Sequence, residues 1–474
     1  MIAALDKATT ALRDADLLRR HGRVRDLIGL IVEATGVEAE VGEVCSIETG
    51  RGRSVVPAEV VGFRAGRTLL MALGDATGIG PGARVTASGR PFAVEVSDAL
   101  LGRSLDGLGR PIDGFGPVGG ADGVRTRSAQ AAPPDPLERP RIHERVTLGV
   151  RALDALVPCG RGQRLGIFAG SGVGKSSLLG MIARSTSAEV NVICLVGERG
   201  REVREFMERD LGPEGMARSV IVVATSDQPA LVRIKAAFTA TTIAEHFRDQ
   251  GRDVMLMMDS VTRFAMAQRE VGLAIGEPPA TRGFTPSVFA ILPKLLERSG
   301  TAPRGTITGL YTVLVDGDDM NEPIADAVRS ILDGHIVLSR RLAHAGHYPA
   351  VDVLASVSRL VGEVTSDEVR AAGGEVRRLM AAYRDKEDLI AIGAYQTGSD
   401  LLTDAAIAAR TPTDEFLRQR VDDPSTCEDA ERGLVGLAAY GELVHVPDPG
   451  PIAAPERPAG TPLAAAIPPL ALRT

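Results

Sequence analysis

Residues 165–176 read Leu165-Gly-Ile-Phe-Ala-Gly-Ser-Gly-Val-Gly-Lys-Ser176, an apolar run that breaks into glycines and ends on a lysine and a serine. Leu165–Ala169 is strand-like, and Ser177-Leu-Leu-Gly-Met-Ile-Ala183 behind it is helix-like. Strand, glycine-rich turn and helix in that order are the setting that a phosphate-binding loop requires. Gly170, Gly172 and Gly174 let the backbone curl so that its N–H groups point at phosphate oxygens, and the helix start adds a positive end. Ala169, Gly170, Ser171, Gly172, Val173, Gly174, Lys175, Ser176 and Ser177 are then expected to surround the phosphates of a nucleotide. Lys175 reaches the β- and γ-phosphates, and the Ser176 hydroxyl ligates the accompanying Mg2+. The strict pattern has Gly where Ala169 stands, a departure that many such loops accept. The stretch implies a nucleotide site.

Working outward, residues 145–364 alternate strand-like and helix-like segments. The spacing predicts strands at Leu165–Ala169, Val190–Val196, Ser219–Ala224, Val254–Met258 and Thr306–Val315. Such a βαβ series folds as a parallel sheet with helices on both faces, so the expected class is an α/β P-loop NTPase core of the RecA-like kind. Val254-Met-Leu-Met-Met-Asp259 is an apolar strand ending in a carboxylate, the form that holds Mg2+ through its water shell. Asn191-Val-Ile-Cys-Leu-Val-Gly-Glu198 ends in a second carboxylate. Hydrolysis needs a group that orients or deprotonates the attacking water, and Glu198 is the candidate. The bland reading of Glu198 is an Arg-paired surface residue in the charged run Gly-Glu-Arg-Gly-Arg-Glu. His335, His344 and His347 have no carboxylate at ligand spacing and do not suggest a metal site.

The flanks differ from this core. Residues 1–20 place Ile2, Leu5, Ala8, Leu12 and Ala15 at three- and four-residue spacing, an amphipathic helix that either packs on its own domain or docks a partner. Residues 21–114 carry short Val/Ile-rich runs separated by glycines and predict an N-terminal β-barrel. Residues 115–144 read as a Gly- and Pro-rich linker, and 365–445 as a C-terminal helical domain. Residues 446–474, rich in proline and poor in charge, read as a disordered tail. The balance of 54 basic against 61 acidic residues, with no Trp and 3% aromatics, argues against nucleic-acid binding. Cys45, Cys159, Cys194 and Cys427 form no C-x-x-C pair and fit a reducing compartment. The N-terminus lacks the apolar segment of a secretory signal, and no apolar run is long enough to span a bilayer, so a cytoplasmic protein is expected.

Several longer phrases carry a resemblance. Gly197-Glu-Arg-Gly-Arg-Glu-Val-Arg204, Ala224-Thr-Ser-Asp-Gln-Pro229, Met258-Asp-Ser-Val-Thr-Arg-Phe264, Gly276-Glu-Pro-Pro-Ala-Thr-Arg-Gly283, Asp316-Gly-Asp-Asp-Met-Asn-Glu322, Asp333-Gly-His-Ile-Val-Leu338 and Ser356-Val-Ser-Arg359 are similar to those of the hexameric rotary-type ATPases. Within them the chain resembles the flagellar type III protein-export ATPases, over about residues 20–440. The resemblance implies a barrel, a nucleotide-binding domain and a helical domain in each subunit, and a homohexamer with ATP at the interfaces. It makes Glu198 the carboxylate that polarises water, and Arg199 and Arg263 active-site arginines. Tyr348 becomes the aromatic stacked on adenine, Phe416 its other wall, and Arg359 a finger supplied in trans. It further implies a regulatory protein bound through residues 1–20, contacts with an export gate, a stalk protein and substrate–chaperone complexes, and a place on the cytoplasmic face of the inner membrane. The other readings are a virulence injectisome ATPase, the catalytic subunit of a rotary ATP synthase, and an RNA translocase. Ala394-Tyr-Gln-Thr-Gly-Ser-Asp400 lacks the dense acidic run expected of the synthase subunit, and the composition disfavours RNA.

Overall fold

In the computed structural model, residues 21–50, 54–119, 123–315, 317 and 319–444 are described; the expected helix at 1–20 and tail at 446–474 lie outside them. From His21 the chain alternates apolar and polar side chains, and this period of two builds six antiparallel strands. They are β1 (His21–Ile28), β2 (Ile31–Thr35), β3 (Glu43–Thr49), β4 (Ser54–Arg64), β5 (Arg67–Ala72) and β6 (Arg84–Pro91). Their order is β1-β2-β5-β4-β3-β6, and β6 returns to β1, so the barrel closes and leaves no open edge. Val24, Val32, Ile47, Val60, Leu70 and Val85 fill its interior.

Beyond residue 91 the chain leaves the barrel. β7 (Ala93–Val96) pairs with β9 (Arg125–Ser128), whereas β8 (Ser104–Asp106) runs parallel to a strand more than a hundred residues downstream. Both β7 and β8 fall within the stretch that the sequence division assigns to the barrel. β8 is too short to show a period, and the partner of its buried Leu105 is remote in sequence, so no local signal separates it. The Pro-rich connector that follows is fastened to the next domain. Arg298 donates to Ala129 O at 2.7 Å, and Thr301 Oγ1 to Pro140 O at 2.8 Å.

After the small β10 (Arg145–Val146) and β11 (Cys159–Gly160) comes the central sheet. Its strands are β12 (Arg164–Ala169), β13 (Val190–Val196), β14 (Ser219–Ala224), β15 (Asp253–Asp259), β17 (Thr306–Leu314), β18 (Gly334–Leu338) and β19 (Val357–Ser358), with β16 (Gly300–Thr301) beside β17. The order is β19-β18-β12-β17-β15-β13-β14-β8, with every contact from β18 to β8 parallel. All seven residues of β13 are buried, as expected for a strand covered on both faces. Val192 and Cys194 face the helices Ala230–Asp249 and Val261–Ile275, while Ile193 and Leu195 face the Lys175–Ser185 helix.

Two buried ion pairs lock these parts. Lys235 Nζ lies 2.5 Å from Glu59 Oε2 and 5.4 Å above the Phe92 ring, joining the barrel to the central domain. Burial raises the Glu59 carboxyl, opposed by the Lys235 charge. Arg298, almost wholly buried, makes a fork to Glu245 at 2.8 and 2.6 Å. Removing one member of such a pair costs about 3–5 kcal/mol, because the other charge is left buried and alone.

Toward the end of the described residues come the helices Asp367–Ala391, Leu401–Leu417 and Cys427–Ala438, capped by the side chains of Ser366, Asp400 and Thr426. Val376, Leu417 and Leu434 carry their apolar faces onto the core beside the Arg151–Leu156 helix. Among the described residues no helix is long and apolar enough to cross a membrane.

Candidate active site

The sheet register assembles the site. Ala169 of β12 lies beside Leu314 of β17, Met258 of β15 beside Tyr311, and Asp259 beside Leu195 of β13. Four carboxyl ends therefore meet along one edge, the place where open parallel sheets bind ligands. Beyond Ala169 the loop curls over this edge, and Gly174, at φ +87°, enters the Lys175–Ser185 helix from the left-handed region. The result is a cleft of about 490 Å3 lined by Ala169–Gly172, Gly174–Ser177, Glu198, Arg199, Glu202, Arg263, Leu314 and Val315. Val173, the remaining loop residue, is turned into the core at 2% exposure.

Charge concentrates on its floor. Lys175 Nζ touches Asp259 Oδ1 and lies 3.6 Å from Glu198 Oε1. Asp259 also accepts a hydrogen bond from Thr312 Oγ1 at 2.7 Å. Gly197, at φ +72°, turns the chain after β13 so that Glu198 enters the cleft, and the Arg263 stem packs against that turn. The Glu198 carboxyl is pushed up to about 7, first by burial and then by the negative charge of Asp259, against the pull of Lys175. Arg263 Nε is buried and has no hydrogen-bond partner among the described residues. An anion entering the cleft would meet a lysine, that orphaned donor and the amides of the loop. Arg199 stands at the rim, 83% exposed, with Glu202 at 3.4 Å.

The donors that a metal would find at the phosphate end are oxygens, the Ser176 hydroxyl and the Asp259 carboxylate. Among the described residues no three His, Cys, Asp or Glu side chains come together as a metal cage. That set suits Mg2+, which takes one or two carboxylates and fills its octahedron with water and phosphate oxygens.

A second cleft of about 820 Å3 opens from the first across Gly174 and Ser177. Tyr348 covers it, its ring carbons 3.4 Å from the point where a Gly174 Cβ would stand. The opposite wall is Arg418–Asp423, from beyond the Leu401–Leu417 helix. Gln419 holds that wall in place. Its N–H donates to Tyr348 O at 3.0 Å. Its Oε1 accepts from Arg151 N at 2.8 Å, and its Nε2 donates to Gly149 O at 2.9 Å and Asp423 O at 2.6 Å. The two clefts are continuous through Gly174 and Ser177, the first floored by Lys175 and Glu198 and the second lined by Tyr348, Leu178 and Met181 along with the 418–423 segment.

The expected second wall, Phe416, is not there. Its ring packs where a Gly433 side chain would stand, between two C-terminal helices, because at the end of its helix Phe416 faces the bundle and the residues after it reach the cleft. Arg359 lies outside both clefts, exposed, just past the edge strand β19, with its N–H bonded to Asp333 O. Three contributors went unread in the sequence. Glu202 follows Glu198 by four residues inside what looks like a solvated charge run. Thr312 is one threonine in a strand, and Gln419 one glutamine after a helix.

The fold and this site define a nucleotide-hydrolysing P-loop subunit with an attached barrel and helical domain. Residues 149–358 match the ATP synthase alpha/beta family, nucleotide-binding domain, and residues 24–89 its beta-barrel domain. Residues 365–435 match the T3SS EscN ATPase C-terminal domain. The chain is 54% identical over 428 residues to the flagellum-specific ATP synthase of Bacillus subtilis, covering 90% of this chain and 97% of that one. The assembled ATPase EscN of the enteropathogenic E. coli type III secretion system superimposes with a TM-score of 0.83 at 47% identity, covering 88% of this chain and all of that one. The same ATPase in complex with its central stalk EscO gives a TM-score of 0.81 at 47% identity and the same coverage. The chain belongs to the ATP synthase alpha/beta family. Within it, it is an ATP-hydrolysing type III secretion ATPase.

Proposed function

We propose that the chain works as a homohexameric ring that hydrolyses Mg2+-bound ATP to drive protein export by a flagellar type III apparatus. The observation that carries the site assignment is the meeting of Lys175, Glu198 and Asp259 beneath a glycine-rich loop, in a cleft continuous with Tyr348. The loop amides and Lys175 bind the phosphates, and Lys175 exchanges its carboxylate contacts for phosphate oxygens. Ser176 and Asp259 would hold Mg2+, which would supply charge neutralisation to the phosphates. Glu198 orients the attacking water and takes up its proton, a task suited to a carboxyl that burial has made more basic. Arg263 supplies its unpaired Nε to the same anion, Arg199 guards the rim, and Tyr348 stacks on adenine.

Arg359 is exposed and outside its own cleft, which supports a role on a neighbour's nucleotide across a ring interface. The assembled state of the EscN relative supports that ring, and its EscO complex supports a stalk partner. The flagellar assignment over the injectisome one leans on the 54% identity to the Bacillus subtilis protein, against 50% to the type 3 secretion system ATPase of Xanthomonas euvesicatoria. A regulatory protein at residues 1–20, an export gate, substrate–chaperone complexes and attachment at the inner membrane through the apparatus complete the proposal.

The test has two arms. Purified Lys175→Ala should lose ATP binding and hydrolysis together; full hydrolysis would remove the active-site assignment. A strain lacking the gene should build no filaments, and a Lys175→Ala copy should restore filaments poorly. Normal filaments without the gene would remove the flagellar assignment.

A further inference from the structure

The strand between the two phosphate-handling strands carries a side chain that the mechanism above does not use. β17 separates β12, which leads into the glycine loop, from β15, which ends on Asp259. Thr312 is fully buried in β17, opposite Ile167 of β12. Its neighbours on the same face of the strand are the buried Leu310 and the half-buried Leu314, so an apolar Val of the same shape would suit the strand equally well. A hydroxyl at that depth costs free energy unless it is bonded, and its one bond goes to the Asp259 carboxylate at 2.7 Å.

The bond falls on Oδ1, the same oxygen that Lys175 touches. Oδ2 is the oxygen left outside both contacts. Two residues further along β17, Leu314 N donates to Thr262 Oγ1 at 2.9 Å, so β17 also grips the start of the helix that follows Asp259. When Lys175 turns to a phosphate, the Asp259 carboxylate loses its charged partner, and Thr312 is the contact that remains to fix its plane.

We propose that Thr312 is a positioning residue that holds Oδ1 of Asp259 so that the carboxylate is preoriented for the water shell of a divalent cation. This rests on the nucleotide-site reading above and names a residue that serves it from behind. Partners behind a metal-binding group set its orientation, and their loss typically costs about 10- to 100-fold in metal affinity or activity.

The experiment uses the full-length protein with T312V, which removes the hydroxyl and keeps the shape, T312S, which restores it, and T312A as a second hydroxyl-free variant. A fluorescent ADP analogue is titrated with and without Mg2+, Mn2+ uptake in the presence of ADP is followed by electron paramagnetic resonance, and Tm is recorded. T312V and T312A should bind ADP without Mg2+ as the wild type does, and need about tenfold more Mg2+ or Mn2+ for metal-dependent binding. T312S should restore the wild-type metal requirement. An unchanged metal requirement in T312V, a T312S that behaves like T312V, or metal-free and metal-dependent ADP binding that fall together would each overturn the proposal. A wild type that binds ADP with no response to Mg2+ would overturn the nucleotide-site reading itself, an outcome distinct from those three.

Discussion

The two halves of the nucleotide cleft are built by different means. The phosphate half comes from strand ends in one sheet, held side by side by the register of β12, β17, β15 and β13. Its side chains are charged and mutually dependent: Lys175 faces two carboxylates, and burial together with the Asp259 charge raises the Glu198 carboxyl. The half proposed for adenosine is lined by Gly174, Tyr348 and the 418–423 segment, which are far apart in sequence, and Gln419 ties its segment to Tyr348 O through its N–H and to Arg151 N and Gly149 O through its side chain. On the proposed mechanism, groups of the first kind such as Glu198 act on the charge that develops in the transition state and so govern kcat, whereas Lys175 also holds the phosphates of the bound substrate. Those of the second kind hold substrate and transition state alike, and so govern KM.

Four substitutions can break or sharpen that division. The largest effect is expected for Arg359→Ala, about 10^3- to 10^5-fold in kcat, with nucleotide affinity retained. Phosphate release and nucleotide titration on the same preparation check it, and wild-type turnover would place the finger elsewhere. Glu198→Gln should follow, with kcat lower by about 10^2- to 10^4-fold and KM little changed. A variant that instead weakened binding would make Glu198 part of the binding surface. On the other side, Tyr348→Ala should raise KM by about 5- to 100-fold, the worth of one base–aromatic stack, while kcat at saturation holds. Gln419→Ala removes three side-chain hydrogen bonds but leaves its N–H on Tyr348, and should raise KM by only about 2- to 10-fold. A fall in kcat from either adenosine-side change would show the two halves to be mechanically coupled.

This contrast also explains what could be read from the chain. The phosphate half follows local rules: glycines that permit a curl, an apolar strand that ends in Asp259, and a strand-to-turn passage at Gly197 that delivers Glu198. Each is written within a dozen contiguous residues. The adenosine half follows none of these, and the expected adenine wall was placed on Phe416 when the chain presents Arg418–Asp423 instead. Which face of a helix end meets a distant cleft depends on how the Leu401–Leu417 helix rolls on its neighbours, a matter of packing between Phe416 and Gly433.

By itself, then, the sequence determined the barrel, the parallel core, the helical end and the glycine-rich loop proposed to bind phosphate. Alternation, apolar runs and glycine positions are consequences of backbone geometry and are printed locally. Only the tertiary structure decided that β8 leaves the barrel side to edge the central sheet, that Gln419 seals the adenosine cleft, and that Thr312 stands behind Asp259. Each of those is a contact between residues remote along the chain, with one ordinary side chain on either side. Burial and hydrogen-bond completion select such contacts after the core has closed, and a single residue carries no sign of them beforehand.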